Sequence, residues 1–573
     1  MNATRYSVPR RRGERRLGGF VALLRVIALL AGLGLAGTGV GLIIAAAPYV
    51  VSPDSDIAGG VAFGLGGGAS LAIGLALVRV AFRVLLQVAT AIAGVALVIG
   101  GIELIIFAVP MSRMAAGEID PERARLAMPV AGLLIALTGA ALIAFVVARW
   151  LRNPQSRSRW PEVARWSAIV YGALLALSVG GAGAPAVAGG EAYTPTVLDA
   201  AFAGALLPLT ALPGALLCYY GITLTSRLPP GRLRYLPAMV LLAGFAAAVA
   251  LGGVVVAVEE PLVWLMTPAH AAAALLPAGA LIAVAASGGL MRAAPVAGLT
   301  HRHAWLALAT GIAVVTLVAG TLDSFIAQAL ATVVLAGSGA FDGLRSFEDV
   351  NDVFRFSDVY LSKGEEALLL VSIVVIMAPI MEEGFKGLGA ALLMPRRPTP
   401  TAALTVGVAV GAGFGVFEAS LYGLGGLVDD AEMEWWALML LRGGATSMHA
   451  LNTGLIGLAL YFDREQGRLG RAFLLYLAAV ALHGLWNALA VFAGSRVIFE
   501  FEGLTERELA MVSFGAMAPL GLITLGTLFA VARWCYVRSP KAGDAGEDEP
   551  AAAPALTFEP WLGWGVCQRI ENG

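Results

Sequence analysis

Glu382, Glu383 and Lys386 stand together in the stretch M-A-P-I-M-E-E-G-F-K-G, inside an otherwise apolar run from 367 to 394. Ionisable groups in hydrocarbon are strongly disfavoured unless they pair or face a cavity, so an intramembrane E-E-x-x-K marks a functional centre. On a helix Lys386 follows Glu382 by four residues and Glu383 by three, so either carboxylate can pair with its ammonium. The other carboxylate is then left over for proton transfer.

Three later apolar runs each carry further polar residues. G-F-G-V-F-E places Glu418 deep within 402–426, and A-T-S-M-H-A-L-N-T-G places His449 in the middle of 435–461. L-H-G-L-W-N places His483 and Asn487 within 471–494, four residues apart and so on one helix face. Two imidazoles and a carboxylate are a common catalytic donor set for zinc, with one position left open for water. A second carboxylate could take the proton from that water. Asn487 could orient a substrate carbonyl, donate to a developing oxyanion, or join the metal shell. Lys386 would supply the compensating positive charge. Taken singly, each residue has a plainer reading: a buried histidine satisfied in the core, a Glu382–Lys386 structural salt bridge, or Glu418 at a packing defect.

Depth in the membrane separates these readings. Counted from the cytoplasmic end of each predicted helix, Glu382, His449 and His483 lie roughly 12 residues in and Glu418 roughly 16. On consecutive antiparallel helices they share one level near the bilayer midplane, which predicts one polar cavity.

The elements that position them are long apolar helices. Candidate spans occur near 26–51, 57–82, 84–109, 127–149, 166–190, 197–222, 236–258 and 262–290, then 304–338, 367–394, 402–426, 435–461, 471–494 and 509–534. The expected fold is an all-α polytopic membrane protein of about 14 transmembrane helices, with the catalytic core in the C-terminal half. The run 304–338 is overlong and contains Asp323. The opening residues 1–25 are basic, and the apolar run behind them is longer than a signal-peptide core, so it reads as a retained first helix. Arginines gather in alternate loops (Arg152 and Arg157, Arg232 and Arg234, Arg396 and Arg397, Arg464 and Arg468) and acids in the others. That bias predicts both termini on the cytoplasmic side of the cell (inner) membrane.

Composition agrees. The 573 residues are 58% hydrophobic and 13% charged, with mean hydropathy +0.81, more apolar surface than a soluble chain can bury. The formal net charge of −1 gives no sign of nucleic-acid binding. Cys218, Cys535 and Cys567 have no C-x-x-C spacing and read as plain thiols. Residues 26–338 form an N-terminal multi-helix region, and the few intramembrane ionisables of the first 300 residues (Arg25, Glu103, Asp199, His270) show no site-like spacing and read as structural. Residues 339–366 read as an acidic amphipathic segment outside the cytoplasm, 367–534 as the catalytic core, and 535–573 as a flexible cytoplasmic tail.

In order and spacing, Glu382-Glu383-Gly384-Phe385-Lys386, Phe414 to Glu418, His449, and His483 to Asn487 resemble the four motifs of the PrsW-like intramembrane proteases. These are relatives of the CAAX prenyl protease superfamily, which usually has arginine one position later and histidine in the second motif. The resemblance spans about 360–500. It implies hydrolysis of a peptide bond within or beside the membrane, in a membrane-anchored protein such as an anti-sigma factor. It implies that Glu382 and Glu383 form the catalytic pair, with Lys386 and Asn487 beside them. Glu418, His449 and His483 would surround a divalent metal, zinc by donor type. Two other classes remain open on the residues alone. One is a polytopic transporter, although no matching polar pattern joins 1–300 to 360–534. The other is a non-catalytic relative that binds membrane peptides.

Overall fold

Hydrocarbon leaves a backbone no water to bond, so apolar runs of this length fold as helices that satisfy their own peptide groups. The computed structural model describes residues 196–223, 235–258, 262–291, 299–320, 370–395, 398–427, 434–494 and 506–540, with a few single positions besides. Described residues form helices and no strands. The α-helices are α1 (Val197–Leu206), α2 (Leu212–Thr223), α3 (Ala238–Val258), α4 (Met266–Ser287), α5 (His301–Thr310), α6 (Ala378–Leu393), α7 (Pro400–Tyr422), α8 (Trp435–Gln466), α9 (Leu469–Gly494) and α10 (Glu506–Arg538). Wider π-helical turns join or extend them at Leu207–Ala211, Gly311–Val315 and Val371–Met377.

Seven of the described helical stretches are long and apolar enough to cross a membrane. They overlap the sequence-predicted spans near 197–222, 236–258, 262–290, 304–338, 402–426, 471–494 and 509–534. The runs 367–394 and 435–461 are also helical, as α6 with its π-helical lead and as α8. The spans expected from 26 to 190, the acidic segment 339–366 and the tail after 540 lie outside the described residues.

Burial ranks the helices. Pro400–Leu427 is 89% buried along its most apolar window, whereas Gly470–Phe492 is 22% buried. Helix α7 is therefore the central post, packed by α4, α5, α6, α8 and α10. Helices α3, α9 and α10 turn apolar side chains such as Val254, Leu474, Leu522 and Ile523 outward, as lipid-facing helices do.

The central crossing is built on glycine. Gly407, Gly411 and Gly415 repeat every fourth residue along one stripe of α7. A Cβ at Gly407 would meet the Thr453 carbonyl oxygen at 2.3 Å, and one at Gly411 the His449 carbonyl oxygen at 2.2 Å. At Gly415 it would meet Thr446 Cα at 2.7 Å. Without side chains in between, α7 and α8 approach backbone to backbone, the close packing that small residues permit in membranes. On another side Gly413 faces the Leu308 carbonyl of α5, where a Cβ would come within 2.4 Å.

Helix ends follow their sequences. Pro400 occupies the first turn of α7, and Thr399 caps it by accepting the Ala402 N–H at 3.2 Å. Gly467 ends α8 in the left-handed region at φ 61°, where a side chain would strain the backbone.

His270 is a structural group. Its Nδ1 accepts from Trp435 Nε1 at 3.1 Å and its Nε2 donates to the Ser420 carbonyl at 3.0 Å, tying α4, α7 and α8 together. Arg25 and Glu103 lie outside the described residues, as does the side chain of Asp199. Cys218 and Cys535 are free thiols, half-buried and buried.

Candidate active site

Helix α6 presents its polar residues to one face because 382, 383 and 386 fall within a single turn. The Lys386 ammonium donates to Glu382 Oε2 at 2.9 Å and to Glu383 Oε1 at 3.0 Å. Both carboxylates are therefore engaged, so no whole carboxylate is spare, in contrast to the single pairing read from the sequence. Glu383 Oε2 is buried with no hydrogen-bond partner.

The third donor direction of Lys386 reaches His449 Nδ1 at 3.0 Å. The ammonium also lies 3.8 Å from the centroid of the Phe414 ring. Phe414, one turn before Glu418 on α7, thus walls the cation on an aromatic face. Since Nδ1 accepts from Lys386, Nε2 of His449 carries the proton and donates to Glu418 Oε2 at 2.9 Å.

His483 has the complementary arrangement. Its Nδ1 donates to Glu383 Oε1 at 2.9 Å, leaving Nε2 on the side of Glu382, 3.8 Å from Oε2. The His449 and His483 rings stand edge-on, with centroids 4.9 Å apart. Each imidazole thus has one nitrogen on a carboxylate and a lone pair on the other. Carboxylates placed this way set tautomer and ring orientation for metal-binding histidines.

One ligand atom each from Glu382, His449 and His483 lies within 4.8 Å of the others. Two neutral imidazole nitrogens and a carboxylate oxygen suit a divalent ion of the zinc type. The donor chemistry and the unpartnered Glu383 Oε2 beside it both fit such an ion. Glu418, placed by the sequence among the ligands, lies outside this trio and is held by His449 and by Arg442 Nη2 at 2.5 Å. Asn487 donates from Nδ2 to the Val374 carbonyl at 2.9 Å, on the π-helical lead into α6.

Glu383, Lys386, His449 and His483 are essentially sealed from solvent, whereas the Glu382 side chain is 12% exposed and Glu418 17%. The centre therefore opens on the side of Glu382 and Glu418. One neighbour escaped the sequence reading. Arg442 lies seven residues before His449 on the same face of α8, a signal visible as the lone arginine of 435–461. Its guanidinium also stacks 4.8 Å from the Tyr422 ring.

Fold and site together define a multi-pass membrane protein with a carboxylate–imidazole centre enclosed among its helices. Residues 300–517, less than half of the chain, match the model of the PrsW family intramembrane metalloproteases. The match supports an intramembrane protease, a hydrolase. No curated protein and no solved structure matches the chain.

Proposed function

We propose that this protein is a metal-dependent intramembrane endopeptidase that cuts a membrane-anchored protein, with an anti-sigma factor as the substrate type its motifs suggest. The observation that carries the reading is the trio of Glu382, His449 and His483 with an unpartnered Glu383 oxygen beside it. Glu382, His449 and His483 would hold a divalent metal, zinc by donor type. A bound ion of this kind polarises a carbonyl and makes water acidic near neutral pH.

The chain's own groups divide the remaining work. Glu383 receives a proton at Oε2, a buried carboxylate oxygen with no hydrogen-bond partner. Its Oε1 is fixed by Lys386 and His483, so the acceptor is held still. Lys386 balances the two adjacent carboxylates, whose mutual repulsion in a water-poor site would otherwise push them apart. Glu418 orients His449 and is itself oriented by Arg442. Substrate enters on the side of Glu382 and Glu418, where the centre is least covered. The protein would lie in the cell membrane with both termini cytoplasmic, by the arginine bias of its loops. In this reading 367–534 is the catalytic core and the preceding helices serve substrate docking.

The test is cleavage of a membrane-anchored substrate by folded variants. E383Q and H483A should each abolish cleavage while the purified proteins keep the wild-type helical signal and elution volume. Normal processing by both variants would remove the enzyme reading.

A further inference from the structure

Asn487 shares a helix face with His483, and its residue type admits a role on substrate or metal. The structure gives its amide a different partner, and the reason lies in the backbone of another helix. Through Val371–Met377 the chain is π-helical, and the Ala378 N–H bonds back five residues to the Ile373 carbonyl. The next N–H in that register would come from position 379 and reach Val374. Position 379 is a proline and has no N–H. The Val374 carbonyl is thereby left open inside an apolar bundle, where an unpaired peptide group is costly.

Asn487 Nδ2 fills that vacancy at 2.9 Å from the neighbouring helix. Helix α9 is pressed against the same turn at Gly484, where a Cβ would stand 2.8 Å from the Val375 carbonyl oxygen. One residue before Gly484, His483 bonds Glu383 at 2.9 Å. So α9 holds the entrance of α6 by Asn487 on its backbone and by His483 on its carboxylate. Sliding of the π-to-α junction would move Glu382 and Glu383 relative to His483.

We infer that Asn487 is a positioning residue: it replaces the N–H that Pro379 lacks, locks the π-to-α junction through Val374, and so sets Glu382 and Glu383 against His483. That this register serves catalysis rests on the protease reading above. The hydrogen bond and its effect on the site do not.

The experiment compares full-length wild type, N487L, P379A and P379A/N487L, purified in detergent, by titration with zinc alone and by thermal melting. N487L should weaken zinc binding about 10- to 100-fold, the usual loss when a residue that supports metal ligands is removed. P379A restores a backbone N–H to the turn, so the double variant should return to within about threefold of P379A. A direct ligand or substrate donor cannot be replaced by that N–H. A double variant as weak as N487L would therefore overturn the inference. If wild type takes up no zinc, the metal reading fails on its own, and the melting temperatures of the four proteins decide this one. Recovery of the N487L loss by P379A supports it, and additive losses overturn it. Should N487L not fold, recovery of folded protein in the double variant supports the inference and continued misfolding contradicts it.

Discussion

The Lys386 ammonium lies 3.0 Å from Nδ1 of His449, on the same lone pair that a metal ion would use. It simultaneously holds Glu382 Oε2, on a second residue of the candidate ligand trio. A metal held by the proposed trio would therefore compete with the lysine for shared acceptors, and the lysine would keep the acids compensated without it.

K386M should accordingly melt at a lower temperature than wild type in chelator, since breaking one partner from a buried ion pair costs about 3–5 kcal/mol. Zinc should then stabilise K386M more than wild type, because its ligands are free of a rival cation. A zinc-induced shift in K386M smaller than that of wild type would contradict this competition.

Arg442 fixes Glu418, which in turn fixes His449. R442M should weaken zinc affinity roughly 10- to 100-fold without touching a ligand. Unchanged affinity in a zinc titration would mean that Glu418 holds His449 unaided.

The glycine stripe of α7 sets how near Glu418 comes to His449. G411A puts a methyl group where 2.2 Å separates it from the His449 carbonyl oxygen, so the backbones must part. Overpacking of this kind costs about 1–3 kcal/mol, and cleavage should fall with it. G470A is the control, since nothing lies within 4 Å of a Cβ there. Equal melting temperatures for G411A and wild type would show that the crossing yields.

His270 and Trp435 bind helices together outside the centre. W435F should lose about 1–3 kcal/mol of stability by stripping a buried acceptor of its donor. Its zinc affinity should stay at the wild-type value, and a parallel loss there would make this knot part of the site.

How much of this was legible depended on what each residue needed. Seven spans between 197 and 534 were readable because a bilayer demands long apolar runs, and charge within apolar runs marks Glu382, Glu383, Lys386, Glu418, His449 and His483. Their meeting is visible in the hydrogen bonds that link Glu383 to His483 and Glu418 to His449. Which imidazole nitrogen faces which carboxylate was not legible, because it depends on the ring orientations that helix packing sets. The bond from Asn487 to Val374 was not legible, because a missing N–H at Pro379 matters only once the π-helical register is known. Arg442 was in plain view but hidden among the residues of an apolar run, with no spacing rule to pair it with a glutamate on another helix.

The central claim is that Glu382, His449 and His483 form one metal centre. Metal content of the purified full-length protein tests it most directly, wild type against an H449A/H483A double variant. The account predicts about one divalent ion per wild-type chain and almost none in the variant. Equal metal in the two proteins, whether full or negligible, would contradict it.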